Sequence, residues 1–171
     1  MESVLAAVES LLQQASVACA IIGGHAVNAW VEPRITGNVD VTVHADASGI
    51  DRLRQILISA GYAIAREHGA NLPSGPDFVR FVSSDGVIVI EIQSAKTVFQ
   101  SEVVRRAGLH GGPRVATPED LIILKLIANR PKDQVDLLSL CALPGLDWPY
   151  VEQWARAWEV LGTLQRLRGN P

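Results

Sequence analysis

Cysteine is scarce in this sequence, and positive charge is not in surplus. The two cysteines, Cys19 and Cys141, lie far apart in apolar segments, so buried thiols are expected rather than a disulfide framework. Lys and Arg number 15 against 18 Asp and Glu, which gives a formal net charge of -3. Proteins that coat nucleic acid by charge alone carry an excess of Lys and Arg, so this class is excluded. A local basic patch remains compatible with the composition.

The chain also lacks a long uninterrupted apolar run. Residues 121–128 form one of the longest, and Lys125 interrupts it, whereas a bilayer-spanning helix needs about 18 or more apolar residues. The amino terminus carries Glu2 and Glu9 with no early Lys or Arg, unlike the positive start of a signal peptide. We therefore expect a cytoplasmic protein without a membrane span.

The composition that is present is that of an ordinary globular protein, 48% hydrophobic and 19% charged. A chain of 171 residues can fill one well-packed core but is too short for two full-sized domains. We predict a single α+β domain over 1–171. Its sheet core lies in about residues 1–116, and its carboxy-terminal part, about 117–171, is helical.

Alternation of polar and apolar residues identifies the clearest strand. From Asn38 to His44 the valines face one side and the polar residues face the other. Further strands are predicted at 17–22, 78–83 and 87–93, the last two joined by a tight turn at Asp85-Gly86.

Helical spacing of apolar residues predicts a first helix over 2–15 and a short one over 25–31. A helix over 50–60 is capped by Ser48 and is followed by a long loop over 69–76.

The sequence predicts helices in the carboxy-terminal part. Thr117 as N-cap with Pro118 at the first helical position starts one helix, and others begin at Pro131 and Asp147. In the last of these, one face carries tryptophans that we expect to serve packing rather than base stacking. They are Trp148, Trp154 and Trp158.

Three features carry candidate chemistry, and the first is Gly23-Gly24. These glycines end a predicted strand and lead into a helix, a geometry that lets backbone amides approach a phosphate. The same pair also suits an ordinary turn.

Carboxylates inside predicted strands are the other two features. Asp40 lies in the middle of the alternating strand with Asn38 beside it on the same face, and carboxylates are poor strand formers. Glu91 interrupts the apolar run 87–90, where a cation or metal would offset the cost of burial. A solvated strand face and a sheet-edge glutamate are the alternatives.

Taken together, these features resemble the nucleotidyltransferase superfamily. Its pattern is Gly-Gly or Gly-Ser after the first strand, Asp-x-Asp or Asp-x-Glu on the next, and a third carboxylate on a later strand. The segments 23–27 and 34–40, with 117–126 and 130–137, are similar to AbiEii-type toxins and related small MNT-like nucleotidyltransferases.

The resemblance implies a nucleotidyltransferase-like mixed sheet with flanking helices and a nucleoside triphosphate as substrate. It also implies Mg²⁺ or Mn²⁺ held by Asp40 and Glu91, since magnesium prefers carboxylate and phosphate oxygens. Further contacts to the nucleotide are assigned to Gly23, Gly24, Arg34, Thr36 and Lys125.

Asn38 departs from the pattern, because the family has a carboxylate at this catalytic position. Asparagine offers one neutral carbonyl oxygen and no negative charge. A site built on Asp40, Glu91 and Lys125 with Asn38 is therefore weakened. Two hypotheses follow: an active nucleotidyltransferase, or a catalytically silent binding module that keeps the fold.

Other polar residues are interpreted one by one, some with two alternatives. Lys125, on a helix apolar almost all round, either contacts phosphate or a site carboxylate or reaches the surface with its ammonium group. Arg34 and Thr36 either contact phosphate or brace the loop. Asp133 and Asp136 are favourable near a helix amino terminus without any function.

His25 and His44 have no evident partner in the sequence, so structural or surface roles are expected for both.

As partners of the protein, the resemblance implies a nucleotide, a cognate antitoxin protein and RNA as one of several acceptors. It implies the role of toxin in a bacterial toxin–antitoxin pair.

Overall fold

The computed structural model describes residues 2–110 and 112–169, which form eight helices and seven strands. The helices are α1 (Glu2–Gln14), α2 (Gly23–Trp30), α3 (Ala47–Ser59), α4 (Val98–Arg106), α5 (Pro118–Ala128), α6 (Pro131–Cys141), α7 (Trp148–Ala157) and α8 (Leu161–Leu167). The strands are β1 (Ala18–Ile22), β2 (Asn38–His44), β3 (Tyr62–His68), β4 (Phe78–Ser83), β5 (Val89–Ser94), β6 (Gly108–Leu109) and β7 (Arg114–Val115).

The strands form one mixed sheet in the order β3-β4-β5-β2-β1-β7-β6. The central pair, β2 and β5, runs parallel, and so does the β1–β7 pair, whereas the other neighbours are antiparallel. Helices α2 and α4 pack against β1 and β2, and α5 packs against α2, α6 and α7. The predicted α+β class and mixed sheet are confirmed.

Strand β2 has the bounds that alternation predicts. Val39, Val41 and Val43 are fully buried in the core, whereas Asn38 and Asp40 are only half-buried. The two polar residues therefore lie on the face that is free to form a site.

The sequence prediction missed five elements, which are β3, α4, β6, β7 and α8. Strand β3 is half-exposed at the edge of the sheet, and its pairing with β4 shifts between Ile64 and Arg66, so its alternation is broken. Helix α4 is a short helix that starts at a capping box formed by Thr97 and Gln100. Local capping chemistry marks α4 better than hydrophobic periodicity does.

Three predicted starts were wrong by two residues or more, and one of them is that of β5, which begins at Val89 instead of residue 87. Asp46 caps α3 in place of Ser48, because its side chain accepts a hydrogen bond from the Gly49 amide at 2.8 Å. Strand β1 ends before Gly23 as predicted, but α2 begins at Gly23 instead of residue 25. By contrast, α5 starts as predicted, with Thr117 as its cap and Pro118 in its first turn.

The tryptophans of α7 pack as expected. Phe99 of α4 contacts Trp154 at a ring-centroid distance of 4.9 Å and Trp158 at 6.2 Å, and the Arg168 guanidinium stacks over Trp148.

Both cysteines carry free, partly buried thiols. Burial raises the pKa of Cys141 to about 11. Over residues 2–110 and 112–169, none of the helices has the length and apolar character that a bilayer crossing requires.

Candidate active site

Strands β2 and β5 bring Asp40 and Glu91 together. The two residues are direct partners in the parallel pairing, and neighbouring strands lie about 4.8 Å apart, so both side chains project from the same face. On the other side of Glu91, β4 contributes Arg80, whose guanidinium lies 3.5 Å from the carboxylate. Two carboxylates and one arginine thus meet in the middle of the sheet.

The proximity of the two carboxylates changes the acidity of Asp40. Burial first, and then the hydrogen bond and negative charge of Glu91, raise the pKa of Asp40 to about 7, while the positive charges of Arg130 and Lys132 act in the opposite direction. Near neutral pH Asp40 consequently takes up a proton readily, which is expected of a buried carboxyl beside a second acid.

The amino terminus of α2 lies directly against Asp40. Gly23 has a positive φ of 66°, and a Cβ there would lie 1.9 Å from an Asp40 carboxylate oxygen. A Cβ on Gly24 would lie 2.5 Å from the Thr36 hydroxyl. Glycine is therefore required by close approach at both positions, and α2 has no side-chain cap on its first amides.

Asn38 completes a polar triplet with the two carboxylates. Its amide nitrogen donates to a Glu91 carboxylate oxygen at 3.3 Å. Across the part of the chain that the structure describes, no group of three or more His, Cys, Asp or Glu residues is placed to hold a metal ion. Two carboxylates suit one magnesium ion that takes its remaining ligands from water and phosphate. A pair of ions would need a further negative ligand, so the residues fit one ion and not two.

Lys125 is buried, with 3% of its surface exposed, so it does not reach solvent. Its ammonium group donates to Asp133 at 2.8 Å and to Asp136 at 2.6 Å. Asp136 also accepts two hydrogen bonds from the guanidinium of Arg34, at 2.7 and 2.6 Å, and Arg130 pairs with Asp133 at 2.7 Å. We name these five residues the ionic cluster.

In the ionic cluster, Asp133 and Asp136 pair with buried and half-buried cations in addition to lying near a helix amino terminus. Burial raises the pKa of both carboxyls, but the hydrogen bonds from Arg130 and Lys125 outweigh it and hold the pKa of Asp133 at about 2. Those from Arg34 and Lys125 likewise lower the pKa of Asp136. Reasoning from the sequence did not find this cluster, although a lysine on an apolar helix followed by two aspartates on one helix face was its signal.

The cluster fixes the loop that leads into β2. Arg34 is held by Asp136, and Thr36 rests against Gly24, so both residues brace this loop. His25 is buried, and burial lowers its pKa, whereas His44 is exposed at the far end of β2.

Two cavities meet at the carboxylates and share Asp40, Glu91, Lys125 and Arg130. The first, of about 410 Å³, lies between the sheet and α5 and is here called the cleft cavity. The second, of about 330 Å³, is called the basic cavity. Apart from the shared residues, the cleft cavity is lined by Ile22, Gly23, Val41, Phe78, Gln93, Leu121, Leu124 and Ala128. The basic cavity adds Gly24, Arg34, Ile35, Thr36, Gly37, Asn38 and Lys132.

Solved structures share this architecture over nearly the whole chain. The solution structure of the antibiotic-resistance factor ANT(2'')-Ia matches with a TM-score of 0.63 at 15% identity, covering 99% of this chain and 98% of that chain. Its crystal structure in complex with adenylyl-2''-tobramycin matches with a TM-score of 0.65 at 16% identity, covering 92% and 95%. JHP933 from Helicobacter pylori gives 0.50 at 17% identity, covering 97% and 77%.

These structural neighbours have nucleotidyltransferase folds. The chain has the nucleotidyltransferase fold. No protein-family model matches the sequence, and no curated protein matches it significantly. The fold is therefore shared with these structures, whereas the likeness to AbiEii-type toxins is carried by the sequence motifs alone.

The raised pKa of Asp40 predicts a stability change. The folded state keeps the Asp40 proton up to about pH 7, whereas the unfolded chain releases it near 3.8; stability should therefore fall as pH rises between these values. Asp40→Asn removes this charge and should stabilise the metal-free protein by about 1–3 kcal/mol at pH 8. Urea unfolding in chelator measures the gain. It should vanish at pH 4, where Asp40 is protonated, and an equal gain at both values would contradict the assignment.

Proposed function

We propose that this protein transfers a nucleoside monophosphate from a nucleoside triphosphate to an acceptor hydroxyl, using one Mg²⁺ or Mn²⁺ ion. The observation that carries the proposal is the pairing of Asp40 with Glu91 directly beside the amino terminus of α2 and the basic cavity. Helix amino termini and basic side chains bind phosphate, and adjacent carboxylates bind the cation that accompanies it.

Asp40 and Glu91 are the residues that would hold the ion. When bound, the ion neutralises charge on the phosphate oxygens and orients them. Lys132, Arg130 and the first amides of α2 bind the β- and γ-phosphates in the basic cavity. Lys125 and Arg34 support this wall through the ionic cluster.

The transfer itself is a displacement at the α-phosphorus. The acceptor oxygen forms a bond to this phosphorus while the bond to the bridging oxygen of the β-phosphate breaks, and pyrophosphate leaves. Glu91 takes the proton of the acceptor hydroxyl, and the Asn38 amide helps to hold the Glu91 carboxylate in place by donating to one of its oxygens. Positioning and electrostatics then account for most of the catalysis.

A toxin role in a bacterial toxin–antitoxin pair, with an antitoxin as partner, is the finer form of this proposal. Support comes from the motif segments 23–27, 34–40 and 130–137, which are similar to AbiEii-type toxins. Co-expression with the adjacent gene tests it: growth arrest by this chain alone and relief by the neighbour are the expected results.

A second candidate is a binding module that holds nucleotide without transferring it. Asn38 is the observation that favours it, because one carboxylate of the superfamily pattern is absent. Incubation with the four α-labelled nucleoside triphosphates, magnesium and a cell extract separates the two candidates. Label in a product indicates transfer, whereas binding without labelled product supports the module.

Nucleotide binding gives a direct test of the basic cavity. Lys132→Ala removes one exposed positive charge from its wall and should weaken binding of a non-hydrolysable triphosphate analogue with magnesium about tenfold, which corresponds to about 1.4 kcal/mol. Isothermal titration calorimetry measures the change. Arg166→Ala, which removes one exposed charge from α8, is the control and should leave the Kd unchanged. No binding by the unaltered protein would overturn the proposed function.

A further inference from the structure

The two cavities lie on opposite sides of the carboxylate pair along the strands. Asn38, in the basic cavity, precedes Asp40 by two residues on β2, and Gln93, in the cleft cavity, follows Glu91 by two on β5. Two residues of strand advance about 6.6 Å. Because β2 and β5 are parallel, Asn38 of the basic cavity and Gln93 of the cleft cavity lie on opposite sides of the pair along the strands.

If the proposed transfer takes place, this placement assigns the leaving pyrophosphate and the acceptor to different cavities. Attacking and leaving oxygens lie roughly in line across the transferred phosphorus. Pyrophosphate belongs in the basic cavity, beside Lys132 and the first amides of α2. The acceptor hydroxyl must then approach from the cleft cavity.

The walls of the cleft cavity are largely apolar. Phe78 of β4 and Ile22 of β1 lie on the sheet side, and Leu121, Leu124 and Ala128 lie on α5. A cavity of about 410 Å³ has the size of a small-molecule site rather than of a surface for a folded macromolecule. Gln93 places one uncharged carboxamide among these apolar groups.

Both cations that line the cleft cavity already have acidic partners. Lys125 pairs with Asp133 and Asp136, and Arg130 pairs with Asp133, so neither of these two aspartates is left without a cation. Asp40 and Glu91, the acidic residues among those described in its lining, are engaged by the reaction. The wall therefore has no free carboxylate that could pair with a polycationic acceptor. Burying the positive charges of such an acceptor without a partner would be costly.

From these walls we infer that the acceptor is an uncharged small molecule that carries a hydroxyl on or near a planar apolar ring. The ring lies between Phe78 and the α5 side chains, and the hydroxyl points to Glu91, with Gln93 in reach of a second polar group. This inference rests on the proposed function.

Binding of simple probes tests the inference. Tyrosol and adenosine represent ring-bearing neutral alcohols, glycerol an alcohol without a ring, and kanamycin a polycation. Saturation-transfer NMR on the full chain, without metal, should show binding of tyrosol or adenosine and none of glycerol or kanamycin.

Ala128→Trp serves to block the cavity. Ala128 is exposed, ends α5 and lines the cleft cavity, so the indole fills the cavity without disturbing the core and should weaken probe binding at least tenfold. Ala157→Trp is the matched control, since Ala157 is the exposed last residue of α7, and it should bind as the parent does. Phe78→Ala gives a second, smaller change in the same cavity and should also weaken the probe.

The outcomes separate the two proposals. If the triphosphate analogue binds but tyrosol and adenosine do not, or if their binding is unaffected by Ala128→Trp, the acceptor class is wrong and the transfer proposal stands. Kanamycin binding that Ala128→Trp abolishes would also overturn the acceptor class. The expected result is that Ala128→Trp binds the triphosphate analogue as the parent does but no longer binds tyrosol or adenosine.

Discussion

Replacing Lys125 with methionine is expected to destabilise the protein by about 3–5 kcal/mol. Methionine keeps the length and apolar stem of the side chain, so packing within α5 changes little. The ammonium group that neutralises Asp133 and Asp136 is lost, however, and both carboxylates are almost fully buried. Arg34 and Arg130 then remain as the partners of two charges inside the protein.

The expected loss depends on pH with a definite sign. Ion pairs hold the pKa of Asp133 at about 2 and that of Asp136 below its usual value. The stability that they contribute is present above the unfolded value of 3.8 and is lost as pH falls toward about 2. The deficit of Lys125→Met should therefore be largest near neutral pH and shrink below pH 4.

Chemical denaturation at several pH values measures this effect. Lys132→Met is the control, because Lys132 is exposed and surface substitutions usually change stability by less than about 0.5 kcal/mol. Adding Asp133→Asn and Asp136→Asn to Lys125→Met should recover part of the loss, since the uncompensated charges are gone. A Lys125→Met protein as stable as the parent at pH 7 would show that the ionic cluster does not stabilise the fold.

The central strands and the capped helices could be predicted because their signals are local. Alternation defines β2, and a threonine cap followed by proline defines the start of α5. The edge strand β3 could not be predicted in the same way, because its exposed residues and its shifted pairing with β4 obscure the alternation. Helix α4 is too short for periodicity to stand out, and its cap was the better signal.

The candidate site was predictable where residue type and strand position act together. Asp40 lies on the polar face of the alternating strand β2, and Glu91 interrupts an apolar run in β5. Their proximity therefore required only that the two strands pair with these side chains on one face. The partners of that pair depend on tertiary structure. Arg80 reaches Glu91 because β4 pairs with β5 in one particular register, and Arg34 reaches Asp136 across 102 positions of sequence.

Asn38→Asp is the substitution with the largest expected effect on activity. It restores the carboxylate of the superfamily pattern beside Asp40, on the face where Asp40 and Glu91 would hold the ion. One regained transition-state interaction of about 2.7–4 kcal/mol corresponds to a rate increase of about a hundred- to a thousandfold. Initial rates of pyrophosphate release with magnesium and a nucleoside triphosphate measure the gain, and tighter magnesium binding should accompany it. Asn71→Asp is the control, because Asn71 is an exposed residue of the loop before β4. Asn28→Asp would be unsuitable, because the Asn28 side chain hydrogen bonds to the Arg34 backbone.

The same substitution should lower stability when no metal is present. In the parent, the Asn38 amide donates to Glu91 at 3.3 Å, and an aspartate would replace this hydrogen bond with repulsion between carboxylates, raising their pKa values. Asn38→Asp should therefore melt below the parent in chelator and regain stability with magnesium and nucleotide, which bind preferentially to the folded state. Asn71→Asp should melt as the parent does in both conditions. Equal melting temperatures for Asn38→Asp and the parent, with and without magnesium and nucleotide, would show that position 38 does not belong to a metal site.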